Sequence, residues 1–151
     1  MKKHHRISVL IWYYALLQSL HLFILARAGI LMLSGQDAPF PILPPPGGWE
    51  AQTLPFMFGL GGMDVVAIIL ALIFAYQSLF KGKMIRRMGI LSLTIAFTGA
   101  IVFAVGTFPS GAWAAHLVAY WIMVVLFIPA GWLLIRLLKG DSMPAHNKEK
   151  K

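Results

Sequence analysis

The sequence predicts an all-α polytopic membrane protein, an antiparallel four-transmembrane-helix bundle with N-in/C-in topology. Three observations carry that expectation: composition, the length of four apolar runs, and the one-sided placement of the cations. The 151 residues are 59% hydrophobic and 12% charged, with a mean hydropathy of +0.77. Soluble domains devote about a quarter of their residues to charge, so this chain lacks the polar side chains to coat a water-facing surface. The formal net charge is +8 and there is no cysteine. Disulfides, thiolate metal sites and cysteine nucleophiles are thereby excluded.

The apolar runs are Ile7 to Leu33, Leu54 to Phe80, Met88 to Thr107 and Ala112 to Leu138. Each reaches the ~20 residues that cross a hydrocarbon core of ~30 Å. In lipid each must satisfy its own backbone, which makes it helical. Thr53, with Pro55 in the first turn, can cap the second helix, and Ser110 after Pro109 can cap the fourth. Residues 1–139 thus form one transmembrane domain, with helices at about 7–33, 54–80, 88–107 and 112–138. A proline-rich external loop covers 34–53, and residues 140–151 form a polar cytoplasmic tail expected to be disordered. The N-terminus also mimics a signal peptide ending at Ala26-Arg27-Ala28. Its apolar region of about 19 residues exceeds the usual 7–15, so a retained span is expected.

Orientation follows from Lys and Arg. Lys2, Lys3 and Arg6, then Lys81, Lys83, Arg86 and Arg87, then Arg136, Lys139, Lys148, Lys150 and Lys151 all fall on one side of a four-span chain. The opposite loops carry only Asp37 and Glu50. The positive-inside rule then puts both termini in the cytoplasm, with a plasma (inner) membrane as the expected location. Anionic headgroups account for the cations, so the lipid bilayer is the expected partner and no nucleic acid is.

The external loop holds Pro39, Pro41, Pro44, Pro45 and Pro46 before Gly47-Gly48-Trp49. Consecutive prolines favour a polyproline II segment. Its apolar residues suit either an interfacial spacer anchored by Trp49 or a lid over the outer mouth. Small residues mark the packing faces: Gly89, Ser92, Ala96, Gly99, Phe103 and Gly106 on helix three, and Ala67, Ala71, Ala75 and Ser78 on helix two. Helix four offers Ala112, Ala115 and Ala119, with a bend expected at Pro129.

Asp64 is the most informative position. It lies ten residues into helix two, about 15 Å from the outer boundary at 1.5 Å per residue. Its spacing from Ala67, Ala71 and Ala75 turns it inward. A carboxylate at that depth costs about 2.5–3.5 kcal/mol on insertion scales and needs a partner, a proton or water. Gly59, Gly61 and Gly62 permit close helix approach or unwinding beside it. On helix one, Tyr14, Gln18 and His21 form a polar stripe. Arg27 either snorkels to the headgroups or pairs with Asp64. On helix four, His116, Tyr120, Met123 and Phe127 share a face. The candidate ligand- or proton-binding residues are therefore Asp64, His21, Arg27, His116, Tyr120 and Gln18, gathered in the outer half.

Cofactor chemistry finds little support. Two histidines can hold a haem between helices, but His21 and His116 differ in depth by roughly 10 Å at helical rise. No metal-ligand spacing, nucleophilic triad or phosphate loop is present, so no metal or cofactor is expected. The four-span plan, with its basic hairpin and Gly61-Gly62-Met63-Asp64, loosely resembles DoxX-like membrane proteins. That motif is short, and no family is assigned on it. The Asn, Glu and Arg signatures of glutathione-dependent four-span enzymes are missing. Three functions fit: a non-catalytic accessory or ligand-binding bundle around Asp64, a small proton-coupled transporter in which Asp64 titrates, or an enzyme or redox subunit acting on a lipid or quinone. A lipophilic small molecule, a membrane complex and a homo-oligomer are the partners such roles imply.

Overall fold

A backbone in hydrocarbon has no water to bond, so a chain this apolar must close its amide bonds within each segment. The computed structural model of the protein describes residues 2–34, 44–49 and 53–140. Within these, helices are α1 (Lys2–Leu33), α2 (Thr53–Phe80), α3 (Arg86–Thr107), α4 (Ala112–Ala115) and α5 (Leu117–Leu138), with a 3₁₀ turn at Phe108–Ser110. No strand occurs among the described residues. The C-terminal tail and most of the external loop lie outside them.

Four helices are long and apolar enough to cross a membrane. Between 17% and 33% of each apolar span is buried inside the molecule. The remainder points outward: Leu16, Phe23, Val105 and Val118 are each more than 60% exposed. A soluble monomer does not expose apolar side chains along the length of every helix. The solvent for these faces is lipid.

The fourth apolar run departs from the expected single helix. It is interrupted at His116 (φ −129°, ψ 39°), which separates the single turn α4 from α5. The cause is local. Gly111 takes a left-handed φ of +77°, a conformation that a side chain would strain, and it turns the chain sharply after Pro109. Ser110 bridges this corner, donating to Thr107 O at 2.6 Å and accepting from Ala112 N at 3.3 Å. α4 is thereby tucked in over α5, and Ala112 is fully buried.

α1 packs on α2, α2 on α3, α3 on α5, and α5 back on α1. The small residues supply the seams. Gly89, Ser92, Ala96, Gly99 and Phe103 are buried on α3, and at Gly106 an added Cβ would come within 2.7 Å of the Phe56 ring of α2. Ala67, Ala71, Ala75 and Ser78 are buried on α2. At Gly89 an added Cβ would come within 2.8 Å of the Phe74 ring, so only glycine admits this approach of α3 to α2. α2 is continuous through Gly59, Gly61 and Gly62. Gly59 and Gly62 face open space, so neither serves a close helix contact.

Two apolar clusters result. One gathers Ile7, Ile11, Tyr14, Phe74, Leu93, Leu133 and Leu137 at the end where α1 begins and α5 ends. The other gathers Met57, Leu60, Phe103, Ala112 and Tyr120 at the far end, with Trp49 and Trp113 packed on it.

At the first end, the Arg86 guanidinium closes α5. Nε donates to Leu137 O, and Nη2 donates to Leu138 O at 2.8 Å. These carbonyls lie at the negative dipole end of α5, and Leu137 O also accepts from Gly140 N at 3.1 Å. Arg86→Ala is expected to cost about 1–3 kcal/mol, the range for hydrogen bonds to a charged group. Thermal unfolding in detergent should show a lowered midpoint for Arg86→Ala and none for Lys83→Ala in the neighbouring turn. An unchanged midpoint for Arg86→Ala would mean that this closure contributes nothing.

Candidate functional site

A cavity of about 240 Å³ lies between the two apolar clusters, enclosed by residues of α1, α2, α3 and α5. Its wall is apolar, from residues such as Leu60, Ala96, Phe103, Met123 and Phe127, except where Gln18, His21 and Asp64 meet. The helical period explains the meeting. Gln18 and His21 are three residues apart on α1, so they share a face. Asp64 precedes the buried row Ala67, Ala71 and Ala75 by three, so it shares theirs.

Asp64 Oδ2 stands 3.6 Å from His21 Nε2, with the side chains 18% and 28% exposed. At that distance the two interact electrostatically but form no direct hydrogen bond. A carboxyl offers about four lone-pair positions, so this contact leaves capacity for a further donor. The carboxyl also fits against Gly99. A Cβ there would lie 3.1 Å from Asp64 Oδ1. Gly99 thus belongs to the helix seam and to the polar centre at once.

A relay of hydroxyls ties three of these helices together. The buried Ser92 Oγ donates to Ala67 O at 2.8 Å, so it accepts from the Tyr14 hydroxyl, 2.7 Å away. Helices α1, α2 and α3 are joined by this one serine. Beside it, Tyr13 donates to Leu126 O on α5 at 2.7 Å, just before Pro129. Proline has no N–H to offer Val125 O, which loosens the helical ladder there. Phe127 of the cavity lining packs edge to face on Phe97, with centroids 5.1 Å apart.

Phe103, which lines the cavity, belongs to an aromatic cluster. Tyr120 is fully buried and lies parallel to Phe103, with centroids 6.0 Å apart and planes at 9°. The Trp113 ring also packs on Tyr120, with centroids 4.1 Å apart, and donates to Ala104 O at 3.1 Å. The described part of the external loop rests on this cluster. His116 Nε2 is 2.9 Å from Pro44 O, Pro45 is buried, and Trp49 joins the outer cluster.

Of the residues singled out from the sequence, the structure brings Asp64, His21 and Gln18 to one cavity. Arg27 is exposed and makes no ion pair among the described residues. His116 and Tyr120 lie outside the cavity lining, the first bonded to the loop and the second inside the stack. The cause is the break at His116, which separates α4 from α5 and uncouples that face. The cavity instead takes Ala119, Ile122, Met123, Leu126 and Phe127 of α5. Their spacing of three and four is an amphipathic signal without polarity, invisible where every face is apolar. Among the described residues, no three His, Asp or Glu side chains gather to hold a metal ion.

No protein-family model, no curated protein and no solved structure matches the chain. Its chemistry must be read from the residues.

Ser92→Ala is expected to cost about 1–3 kcal/mol, because it removes two buried hydrogen bonds, leaving the Tyr14 hydroxyl with Gln18 alone and the Ala67 carbonyl with its helical donor alone. Adding Tyr14→Phe should cost less than Tyr14→Phe does in the wild type, since the bond to Ser92 is then already gone. Chemical denaturation of the single and double variants in detergent checks the difference. Equal stability of wild type and Ser92→Ala would contradict the relay.

Proposed function

We propose that the protein is a non-catalytic ligand-binding four-helix bundle of the plasma (inner) membrane, N-in/C-in, which holds a small lipophilic molecule against Asp64, His21 and Gln18. One observation carries the reading. A cavity of about 240 Å³ is apolar throughout except for one carboxyl, one imidazole and one amide that converge on it. Binding sites for small molecules have this character: a mostly apolar wall with a few placed polar groups that set orientation. A carboxyl kept at membrane depth against an insertion cost is a functional group by default.

Orientation in the bilayer rests on the twelve cations described above. The absence of cysteine makes it straightforward to probe. With single substitutions Ala115→Cys and Lys83→Cys, a membrane-impermeant maleimide should label the first in intact cells and the second only after permeabilisation. The opposite pattern would invert the topology.

Native mass spectrometry of the full chain released from micelles tests the binding. A non-covalent small-molecule adduct is expected on the wild type and should be lost from Asp64→Asn while the fold is retained. If Asp64→Asn keeps the adduct and only lowers the unfolding midpoint, Asp64 is a structural clasp between α1 and α2.

The pairing of Asp64 with His21 inside a cavity also suits a second role, a small proton-coupled transporter in which the pair exchanges a proton with its cargo. Asp64→Asn would then abolish pH-dependent substrate flux in vesicles.

A further inference from the structure

We infer that the cavity is loaded sideways from the bilayer, through the gap between α1 and α5, and that its guest is a neutral ring-sized molecule bearing a hydroxyl group. This rests on the ligand-binding reading above and adds its access route and the chemistry of its guest.

The route follows from which lining residues are exposed. Leu20 on α1 and Ile122 on α5 each line the cavity, yet each is 55% exposed. Leu126 on α5, also in the lining, is 37% exposed. The lining from α2 and α3 is buried or nearly so: Leu60, Ala96, Gly99 and Phe103 are all buried. The opening therefore lies on the α1–α5 side.

Phe103 of the lining is backed by Tyr120, and the Tyr14–Ser92–Ala67 relay joins α1, α2 and α3. α1 and α5 meet in the cluster of Ile7, Ile11, Leu133 and Leu137 and through Tyr13 to Leu126. Beyond Leu126 they part around the cavity. An opening at that height in a lipid-exposed face admits molecules dissolved in hydrocarbon, whereas ions and sugars do not partition there.

Size and polarity define the guest. An apolar cavity of about 150 Å³ takes benzene. A cavity of about 240 Å³ therefore takes a substituted ring of roughly ten heavy atoms, and any longer tail can stay in the bilayer through the gap. The Asp64 carboxyl calls for a donor, while Gln18 and His21 can supply N–H groups to an acceptor. A hydroxyl is both. The carboxyl already faces His21 at 3.6 Å, so it does not require a cationic guest.

The test uses the full chain in phospholipid vesicles with 1-naphthol as probe, followed by stopped-flow energy transfer from tryptophan above a protein-free vesicle background. Leu20→Cys and Ile122→Cys are introduced together and bridged by a reducible bifunctional methanethiosulfonate. Bridging should slow the association rate by about tenfold or more, with reduction restoring it, as expected when a doorway and not the site is altered. Naphthalene should bind at least about tenfold more weakly than 1-naphthol, one lost polar contact's worth, and Asp64→Asn should narrow that difference. A rate unchanged by bridging overturns the lateral route. Naphthalene binding as tightly as 1-naphthol, or 1-naphthylmethylammonium binding more tightly, overturns the neutral hydroxyl guest. Absence of saturable binding by all three probes overturns the ligand-binding reading itself.

Discussion

A carboxyl at membrane depth has to be accommodated, and much of this molecule is arranged around that constraint. Taking Asp64 out of water carries a cost that lipid cannot offset. His21 stands beside it, Gln18 shares its cavity, and Gly99 leaves the space that its oxygen occupies. The same glycine lies on the seam by which α3 reaches α2. Helix packing and the polar centre are thus one design problem, solved by the same small residues. Without hydrophobic attraction between helices in lipid, close backbone approach and a few buried polar contacts hold them together. Ser92, bonding to two helices from a third, is the clearest case.

The two apolar clusters divide the work. The one where α1 begins and α5 ends is dense with Ile, Leu and Phe and closed by Arg86 on the last carbonyls of α5. The far one is aromatic, built on Tyr120 in contact with Phe103 and Trp113, and it anchors the described loop residues. The cavity lies where neither cluster fills the space. A well-packed interior leaves few voids larger than a water molecule. A cavity of about 240 Å³ that keeps a carboxyl, an imidazole and an amide is therefore a feature to be explained by what it holds.

Much of this was legible in the sequence because the bilayer imposes simple rules. Hydrocarbon thickness sets the length of each apolar run, and the described helices have the lengths it demands. The inward turn of Asp64 could be read from its spacing to Ala67, Ala71 and Ala75, and the polar face of α1 from Gln18 and His21. The far end was not legible. Gly111 and the corner after Pro109 break the fourth run at His116, and a window of hydropathy does not register one non-helical residue. That break places His116 on the loop and Tyr120 in an aromatic stack, away from the cavity they were expected to line. Arg27, equally consistent on paper with an ion pair or an outward course, takes the outward one. The α5 contribution was hidden for a different reason: in a membrane helix the cavity-facing and lipid-facing sides are equally apolar.

The central claim is that Asp64 and His21 stand side by side on the cavity wall when the protein is in a bilayer. Solid-state NMR on proteoliposomes can measure it directly, as the dipolar coupling between Asp64 13Cγ and His21 15Nε2. The observed approach of 3.6 Å between Oδ2 and Nε2 predicts a separation below about 5 Å, the range in which such groups influence each other's charge. No detectable coupling, with α1 and α2 otherwise helical, would contradict it and remove the polar centre on which the functional reading rests.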